Sequence, residues 1–329
     1  MGTVLVFGSS NTDLVLAVSE LPLAGQTVLG KHLAEVAGGK GANQAVAAAR
    51  TGAEVTFVGA VGMDEFGFQA RQGLAREGID LRFVRQVAGV RSGVAMIMVD
   101  QSGRNLIGVA PGANACVDAD YIRSLPDSLF ESADVVVAQL EIPVEAVRVA
   151  LQRARQSGKT TVLNPAPPDR RIVNEQMLAF VDILVLNEPE AVLLSDWADP
   201  AAVSTDGSSF EIGDDWGRLA DEFHALGPSA VIITFGERGY RLSAAGQRMI
   251  ASAHAVPAVD TVGAGDTFVG VLAARLAEGA SIIESAHWAN AAAALAVTQP
   301  GAQPSIPNRD AIETLLMSKG QTSPTRPNG

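Results

Sequence analysis

The sequence has little of the chemistry on which disulfide-rich, metal-cluster or polyanion-binding proteins depend. Among its 329 residues there is one cysteine, Cys116, which excludes an internal disulfide and any site with several cysteine ligands. The 4 histidines are far apart, and none forms a zinc-binding pair. Aromatic residues make up only 5% of the chain against 47% hydrophobic residues, so we expect a large core of aliphatic side chains.

Positive charge is also scarce. The chain has 24 Lys and Arg against 36 Asp and Glu, which gives a formal net charge of -12 at pH 7. Because nucleic acids and anionic membranes bind through clustered basic residues, we expect neither as a partner. No apolar run is long enough to cross a bilayer and no leader pattern begins the chain, so the sequence predicts a cytoplasmic protein.

Short apolar runs alternate with longer helical segments, and this alternation predicts a layered α/β fold. The predicted strands are 4–7, 54–58, 95–99, 135–138, 160–163, 183–186 and 230–234. The predicted helices are 42–50, 67–76, 144–156, 216–225, 267–278 and 282–296. Several of the apolar runs are β-branched and contain no polar residue, which is typical of a parallel sheet buried between helices.

Two stretches break the alternation with strand-like pieces and no helix. The pieces are 14–18, 26–30, 93–99 and 105–110. They indicate a small separate sheet that covers a site, or else extra strands at the edge of the main sheet. Residues 196–215 are predicted to be an acidic surface excursion, and the tail after Lys319 is predicted to be disordered.

The most informative segment is 260–268, Asp-Thr-Val-Gly-Ala-Gly-Asp-Thr-Phe, which opens a predicted helix. Small residues at a helix N-terminus expose backbone amides, and with the helix dipole these form a site for a phosphate. A carboxylate there, Asp266, would repel a phosphate unless it accepts a proton from the attacking group. The pattern therefore indicates a general base beside an anion hole, as phosphoryl transfer to an alcohol requires. The alternative is an N-capping aspartate after a glycine turn.

Two other segments place polar groups at a helix start or a strand end. Residues 38–44, Gly-Gly-Lys-Gly-Ala-Asn-Gln, expose amides before a helix but lack the spacing of a P-loop. Residues 8–13 follow the first strand and bring Asn11 and Asp13 to the carboxyl end of the sheet, where open α/β folds bind ligands. Taken alone, the glycine-rich segment is weak evidence, and residues 8–13 are better explained by an Asx-type turn that leads into the hairpin. No dinucleotide fingerprint follows the first strand, which disfavours an oxidoreductase.

These segments occur in order, with Asn-Glu-Pro-Glu at 187–190 and Thr-Phe-Gly-Glu-Arg-Gly at 234–239 between the second and the last. The set resembles the ribokinase family of sugar kinases, also called the PfkB carbohydrate kinases, over nearly the whole chain. The resemblance implies a ribokinase-like three-layer α/β fold, with a mostly parallel central sheet flanked by helices and a small β-sheet lid. It implies an α/β body (1–12, 38–90 and 112–317), a β-lid (13–37 and 91–111) and a disordered tail (318–329).

The resemblance also implies a role for each matched residue. The implied sugar pocket is Asn11, Asp13, Gly39, Lys40, Asn43, Glu141 and Asp266. The implied catalytic group is Asp266 as general base, with the amides of Gly263, Ala264 and Gly265 as anion hole. The implied ATP contacts are Asn187, Thr234, Phe235, Gly236, Glu237, Arg238, Gly239, Gly265 and Asn290. Mg²⁺ is expected at Glu190, and a monovalent cation, K⁺, at Asp260, Val262, Ala296, Gln299, Gly301 and Ser305.

The resemblance implies an ATP-dependent kinase of the primary hydroxyl of D-ribose, giving D-ribose 5-phosphate, that dimerises with a second copy through the lid. Fructose, 2-deoxyribose, a ketodeoxy sugar acid or a nucleoside are alternative substrates on the same fold. Asn11 and Asp13 favour a sugar with its ring hydroxyls intact, because they pair donors with acceptors. A non-catalytic sugar-binding regulator is a further alternative, which the presence of Asp266 and the anion-hole glycines disfavours.

Overall fold

The computed structural model describes residues 1–196 and 215–318. The predicted acidic excursion lies outside the described residues except at its ends, and so does the predicted tail apart from Ser318. Within the described ranges, no helix is both long and apolar enough to span a membrane.

The strands of the described chain form two sheets. They are β1 (Thr3–Phe7), β2 (Asn11–Ala17), β3 (His32–Gly38), β4 (Glu54–Gly62), β5 (Val84–Val87), β6 (Gly93–Val99), β7 (Asn105–Ala110), β8 (Val135–Gln139), β9 (Thr160–Asn164), β10 (Ile183–Asn187), β11 (Ala230–Thr234), β12 (Tyr240–Ala244) and β13 (Gln247–Ala251). The larger sheet has the order β13-β12-β11-β10-β9-β8-β1-β4-β5. Its strands pair in parallel except at β11-β12 and β12-β13, so the prediction of a mostly parallel central sheet is confirmed.

Helices cover both faces of this sheet. They are α1 (Lys40–Thr51), α2 (Glu65–Arg76), α3 (Ala119–Ser124), α4 (Asp127–Glu131), α5 (Val144–Gln156), α6 (Arg171–Asn174), α7 (Glu188–Leu194), α8 (Trp216–Leu226), α9 (Ala264–Ala277), α10 (Ile282–Ala296), α11 (Ala302–Ser305) and α12 (Arg309–Ser318). One buried core joins the sheet to α3, α4, α5, α7 and α8, and a second joins the opposite face to α1, α2, α9, α10 and α12. The fold therefore has the three layers predicted.

The second sheet has the order β3-β2-β6-β7. The β2-β3 and β6-β7 hairpins are each antiparallel, and β2 pairs in parallel with β6 to join them. These strands form a sheet of their own rather than extending the edge of the larger one, which decides between the two alternatives. The division of the chain into a body and a lid stays a prediction.

The predicted strand at 26–30 is wrong. The hairpin closes where Ala17 pairs with His32, so 26–30 lie in the connection between β2 and β3. There the Gln26 amide donates to the Leu23 carbonyl oxygen at 2.9 Å and forms a turn. Two β-branched residues, Thr27 and Val28, between two glycines were an insufficient signal, because strand propensity depends on a partner strand. The prediction missed β3, the actual partner of β2, and also β5, β12 and β13, where arginine and glutamine interrupt the apolar pattern.

Small residues bring the N-terminal ends of α1 and α9 side by side. The two helices pack closely, and α1 is rich in buried alanine. Gly270 on α9 lies so near α1 that a Cβ there would be 2.3 Å from the Gln44 carbonyl oxygen. This close approach places the amide side chains of α1 within reach of the first turn of α9.

Candidate active site

A cavity of about 220 Å³ opens where the parallel strands end and three helices begin. Its walls are Lys40, Asn164, Ala166, Val185, Leu186, Asn187, Glu190, Thr234, Thr261, Gly263, Gly265, Asp266 and Val269. The cavity thus brings together predicted site residues from α1, α7, β11 and α9, which are far apart in sequence. Other predicted residues, among them Asn11, Asp13, Asn43, Glu141 and Asn290, are not part of this lining.

Asp266 lies in the first turn of α9 and is 7% exposed. Its two carboxylate oxygens accept hydrogen bonds from different amide side chains, Oδ2 from Asn43 Nδ2 at 2.8 Å and Oδ1 from Gln44 Nε2 at 3.0 Å. The N-cap of α9 is Gly263, without any capping side chain, so the interpretation of Asp266 as an N-cap is wrong.

The anion-hole amides are at the same helix end. Within the described residues, neither the Gly263 amide nor the Gly265 amide donates a hydrogen bond. The Ala264 amide donates to the Thr261 carbonyl oxygen at 3.3 Å. Two amides of the predicted three are therefore available to an anion beside Asp266.

Glu141, just beyond β8, connects several of the residues predicted to hold the sugar. Its Oε2 accepts hydrogen bonds from Ser9 Oγ at 2.5 Å, from the Lys40 amide at 3.0 Å and from Asn11 Nδ2 at 3.5 Å. The orientation of the Asn11 amide is set by Asn114, whose Nδ2 donates to Asn11 Oδ1 at 2.7 Å. Asn11 therefore presents its donor group toward Glu141.

Asp13 packs against the double glycine that precedes α1. A Cβ on Gly38 would lie 2.2 Å from Asp13 Oδ2, and a Cβ on Gly39, where φ is 91°, would lie 2.7 Å from the Asn11 amide nitrogen. Any side chain at these positions would displace Asp13 or Asn11. Burial, followed by the charges of Glu141 and Asp266, raises the pKa of Asp13 from 3.8 to about 6.

Lys40 is a cation among carboxylates. Burial alone would lower its pKa, but the charges of Asp266, Glu141, Glu190 and Asp13 raise the pKa above 10.5. The side chain is therefore protonated throughout the physiological range and offsets part of the negative charge of the site.

The Asn-Glu-Pro-Glu motif caps α7. Asn187 Oδ1 accepts a hydrogen bond from the Glu190 amide at 2.8 Å, and Glu190 Oε2 accepts one from the Asn187 amide at 2.9 Å, which is a capping box. Burial raises the pKa of Glu190. The described residues contain no group of three or more Asp, Glu, His or Cys that could hold a metal by themselves.

The residues predicted for the nucleotide follow β11. Thr234 lines the cavity, and its hydroxyl donates to the Leu186 carbonyl oxygen at 3.2 Å. Phe235 is buried under the guanidinium of Arg238, which also pairs with Glu188 at 2.5 Å. Gly236 and Glu237 belong with Arg238 to a 3-10 turn that ends at Gly239. Asn290 lies apart on α10 and donates to the Ser252 carbonyl oxygen at 2.9 Å.

Asp260 ties together the two loops predicted to hold a monovalent cation. Its Oδ1 accepts from the Val262 amide at 3.0 Å, and its Oδ2 accepts from the Gly301 amide at 2.8 Å. The other predicted ligands follow within or just after α10 and in α11, namely Ala296, Gln299 and Ser305. Ala302, which follows Gly301, lies close to Gly263. A Cβ added to Gly263 would be 3.0 Å from the Ala302 Cα. The loop around Gly301 therefore supports the start of α9.

Sequence reasoning missed four buried amide side chains: Gln44, Asn114, Gln139 and Asn164. Gln139 and Asn164 are the last residues of β8 and β9. They follow the rule that singled out Asn11, since polar residues at the carboxyl ends of parallel strands face the ligand crevice. Gln44 was hidden within the glycine-rich segment, and no sequence signal distinguishes Asn114.

Comparison with known proteins agrees with this geometry. The pfkB family of carbohydrate kinases matches residues 1–309. The ribokinase of Haemophilus influenzae is 38% identical over 315 residues, covering 95% of this chain and 97% of the relative. The structure of Arabidopsis thaliana ribokinase complexed with ribose and ATP has a TM-score of 0.81 and 30% identity, covering 96% of this chain and 98% of that one.

A relative of different specificity also aligns. The deoxyribokinase of Salmonella typhi is 31% identical over 313 residues, covering 95% of this chain and 98% of the relative. The family match spans nearly the whole described chain, and the cavity is lined by Lys40, Glu190, Gly263, Gly265 and Asp266, to which the resemblance assigned roles. The chain belongs to the PfkB family of carbohydrate kinases and is a carbohydrate kinase.

Proposed function

We propose that the protein transfers the γ-phosphoryl group of ATP to the primary hydroxyl of D-ribose and produces D-ribose 5-phosphate. One observation carries the proposal: a buried carboxylate, Asp266, lies beside the unpaired amides of Gly263 and Gly265 at a helix N-terminus. A base beside an anion hole suits transfer to an alcohol. The Haemophilus and Arabidopsis ribokinases support ribose as the acceptor.

In the proposed reaction, the sugar hydroxyl oxygen forms a bond to the γ-phosphorus as the bond from that phosphorus to ADP breaks. The hydroxyl proton passes to Asp266. The Gly263 and Gly265 amides stabilise charge on the phosphoryl oxygens, with Ala264 contributing if its weak bond to Thr261 opens. Because such transition states are loose, alignment matters more than a strong base.

The sugar would be held by Asn11, Asp13, Gly39, Lys40, Asn43 and Glu141. Asn43 provides specific support, because its Nδ2 is bonded to Asp266 while its buried Oδ1 has no hydrogen-bond partner in the described part of the chain. An unpaired buried acceptor costs free energy, and a sugar hydroxyl would satisfy it. Asp13 would accept hydrogen bonds from ring hydroxyls.

ATP would lie along Asn187, residues 234–239 and Asn290, with its phosphates directed toward Gly265. Oxygen donors suit Mg²⁺, and a site with few protein carboxylates fits an ion bound chiefly through phosphates. Glu190, with Asn187, would hold Mg²⁺ and its waters, and the ion supplies neutralising charge on the phosphates.

A monovalent cation, K⁺, would bind at Asp260, Val262, Ala296, Gln299, Gly301 and Ser305. The support is structural, since Asp260 bridges the Val262 and Gly301 amides and aligns two loops whose carbonyl oxygens could face one ion. Its effect would be to order the start of α9 rather than to contact the substrate.

The small sheet would serve as a lid and as the interface of a homodimer. Its strands carry large exposed hydrophobic side chains, Leu33 on β3, Met96 on β6, and Leu106, Ile107 and Val109 on β7. Such a surface on a separate sheet is typical of a contact with another protein. Analytical ultracentrifugation tests this, and a monomer at micromolar concentration would contradict it.

The deciding experiment is a coupled assay across D-ribose, 2-deoxyribose, fructose, a ketodeoxy sugar acid and a nucleoside, with ATP and Mg²⁺, with and without K⁺. We expect ribose to have the highest kcat/KM and K⁺ to raise the rate. The Salmonella deoxyribokinase makes 2-deoxyribose the principal alternative. A higher kcat/KM for another sugar would overturn the ribose assignment, and no phosphorylation of any sugar would favour a non-catalytic regulator.

A further inference from the structure

A row of buried amide side chains runs behind Asp266, and nothing in the proposed reaction uses it. Gln44 on α1 donates from Nε2 to Asp266 Oδ1 at 3.0 Å and to Asn164 Oδ1 at 3.1 Å. Its Oε1 accepts from Gln139 Nε2 at 2.6 Å, and Asn164 Nδ2 donates to the Val185 carbonyl oxygen at 3.0 Å. We propose that Gln44 is a positioning residue that holds the Asp266 carboxylate in one orientation, and that Gln139 and Asn164 fix the orientation of the Gln44 amide.

The order of donors along this row has only one self-consistent arrangement. The Val185 carbonyl oxygen can only accept, so Asn164 must turn its NH₂ toward Val185 and its oxygen toward Gln44. Gln44 must then present its own NH₂, and its two hydrogens serve Asn164 and Asp266. A carboxylate also only accepts, so both ends of the row demand donors. Reversing the Gln44 amide would set oxygen against oxygen at Asn164 and Asp266, and NH₂ against NH₂ at Gln139.

Gln139 secures the far side of Gln44. Its Nε2 donates to Gln44 Oε1, while its own Oε1 has no hydrogen-bond partner within the described residues. Gly8 packs against this group so tightly that a Cβ there would lie 2.2 Å from Gln139 Oε1. Gln44 and Gln139 are fully buried, so no water competes for these bonds. The row links α1, β8 and β9, whose relative positions the core fixes.

The row reaches Asp266 through a neutral NH donor, in a site whose other groups are charged. The charged groups that face Asp266 are Lys40 on α1, Asp13 on β2 and Glu190 on α7. Two of these three groups are acids, so their charges repel the Asp266 carboxylate. Neutral NH donors offset part of this repulsion, which further cations would otherwise have to offset.

The inference rests on the proposed function, in which Asp266 is the base, and the test separates the two. Four variants are compared with wild type: Gln44→Leu, the isosteric Gln44→Glu, Gln139→Leu and the control Thr51→Val. Thr51 is buried at the C-terminal end of the same helix, and its hydroxyl donates to the Ala47 carbonyl oxygen. Thermal unfolding shows whether each variant is folded.

We expect Gln44→Leu to lower kcat about 10²-fold and Gln139→Leu about 10-fold, because small misplacements of a base are costly. The KM for ATP should stay within about twofold, since ATP binding does not use the row. Gln44→Glu should lower kcat at least as much as Gln44→Leu, because a second carboxylate would oppose Asp266 in place of a donor. Thr51→Val should match wild type.

An unchanged kcat in the Gln44 variants would overturn the inference, and so would an equal loss of kcat in Thr51→Val. If only Gln139→Leu matches wild type, the part assigned to Gln139 is wrong. Should Gln44→Leu not fold, Gln44→Glu carries the test. Crystal structures of wild type and Gln44→Glu give a readout that does not depend on the substrate. If the Asp266 carboxylate has the same orientation in both structures, the inference is contradicted. If the wild-type protein does not phosphorylate ribose, only the proposed function is affected.

Discussion

The two regions of the proposed site are built by different means. The proposed acceptor side consists of Asn11, Asp13, Lys40, Asn43, Glu141 and Asp266. There Asn43 bonds Asp266, and Glu141 Oε2 alone accepts three hydrogen bonds. The proposed nucleotide side consists of Asn187, residues 234–239 and Asn290, where a backbone turn carries exposed side chains beside buried ones. Arg238, for example, has a side chain that is 41% exposed.

The difference follows from what each ligand would bring. A sugar is neutral and small, so the protein itself must supply the polar groups that orient one hydroxyl, and these groups must be fixed beforehand. ATP carries its own charge and a metal ion, so a flexible surface with helix N-termini suffices. Substitutions should therefore reduce activity far more on the acceptor side than on the nucleotide side.

The largest effect is expected from Asp266→Asn. The amide keeps the shape of the side chain but cannot take a proton, and one of its atoms must face the NH₂ of Asn43 or Gln44 as a donor. We expect kcat to fall about 10²- to 10⁴-fold, the usual contribution of a general base, with both KM values changed only slightly. Steady-state kinetics with ribose and ATP measure this.

The control is Asp120→Asn, because Asp120 is an exposed aspartate paired with Arg123 on α3. Its activity should equal that of wild type. Full phosphorylation of ribose by Asp266→Asn protein would remove the base from the mechanism and with it the argument for a fixed acceptor side.

Asp13→Asn should give a smaller loss, in binding rather than in chemistry. We expect kcat/KM for ribose to fall about 10²-fold, because a charged acceptor for hydroxyl groups is lost. In wild type, Asp13 becomes protonated as the pH falls through its pKa of about 6, so the KM for ribose should rise below that pH. The variant should lack this dependence, and Glu35→Gln, an exposed carboxylate on the paired strand β3, serves as control.

The same substitution should stabilise the free protein. Since the pKa of Asp13 is about 6 in the fold against 3.8 ordinarily, the folded chain binds this proton more tightly than the unfolded chain does. Ionised Asp13 therefore lowers the free energy of unfolding above about pH 6. We expect Asp13→Asn to raise it by about 1–3 kcal/mol at pH 8, and the gain should shrink toward pH 4. Urea unfolding at both pH values measures this, and a variant less stable than wild type at pH 8 would contradict it.

The same contrast explains how far the sequence could predict the molecule. Periodicity predicted the buried strands of the main sheet, because continuous apolar runs such as Val4 to Phe7 are covered on both faces. It failed near one edge of the sheet, at β12, where Arg241 interrupts the run, and at residues 26–30, where no partner strand exists.

At the site, the glycine-rich segments could be found because backbone exposure has a local signature. The row through Gln44, Gln139 and Asn164 could not, because it exists only after three elements pack together. A buried glutamine and an exposed one look alike in a sequence. Tertiary contacts alone distinguish a polar residue that orients a base from one that faces solvent.

The smallest effect is expected on the nucleotide side, from Arg238→Ala. Arg238 stacks on Phe235 and pairs with Glu188, yet its side chain is 41% exposed, so its loss should raise the KM for ATP about fivefold at most and leave the KM for ribose unchanged. Arg248→Ala is a matched control: Arg248 is also 41% exposed, pairs with Asp221 and lies over Trp216 on another part of the sheet. Equal KM values for ATP in the two variants would remove Arg238 from the nucleotide site. If Arg238→Ala instead lowered activity as much as Asp266→Asn does, the nucleotide side would be as rigidly organised as the acceptor side. Only a charge held in a fixed place could affect activity that strongly from so exposed a position.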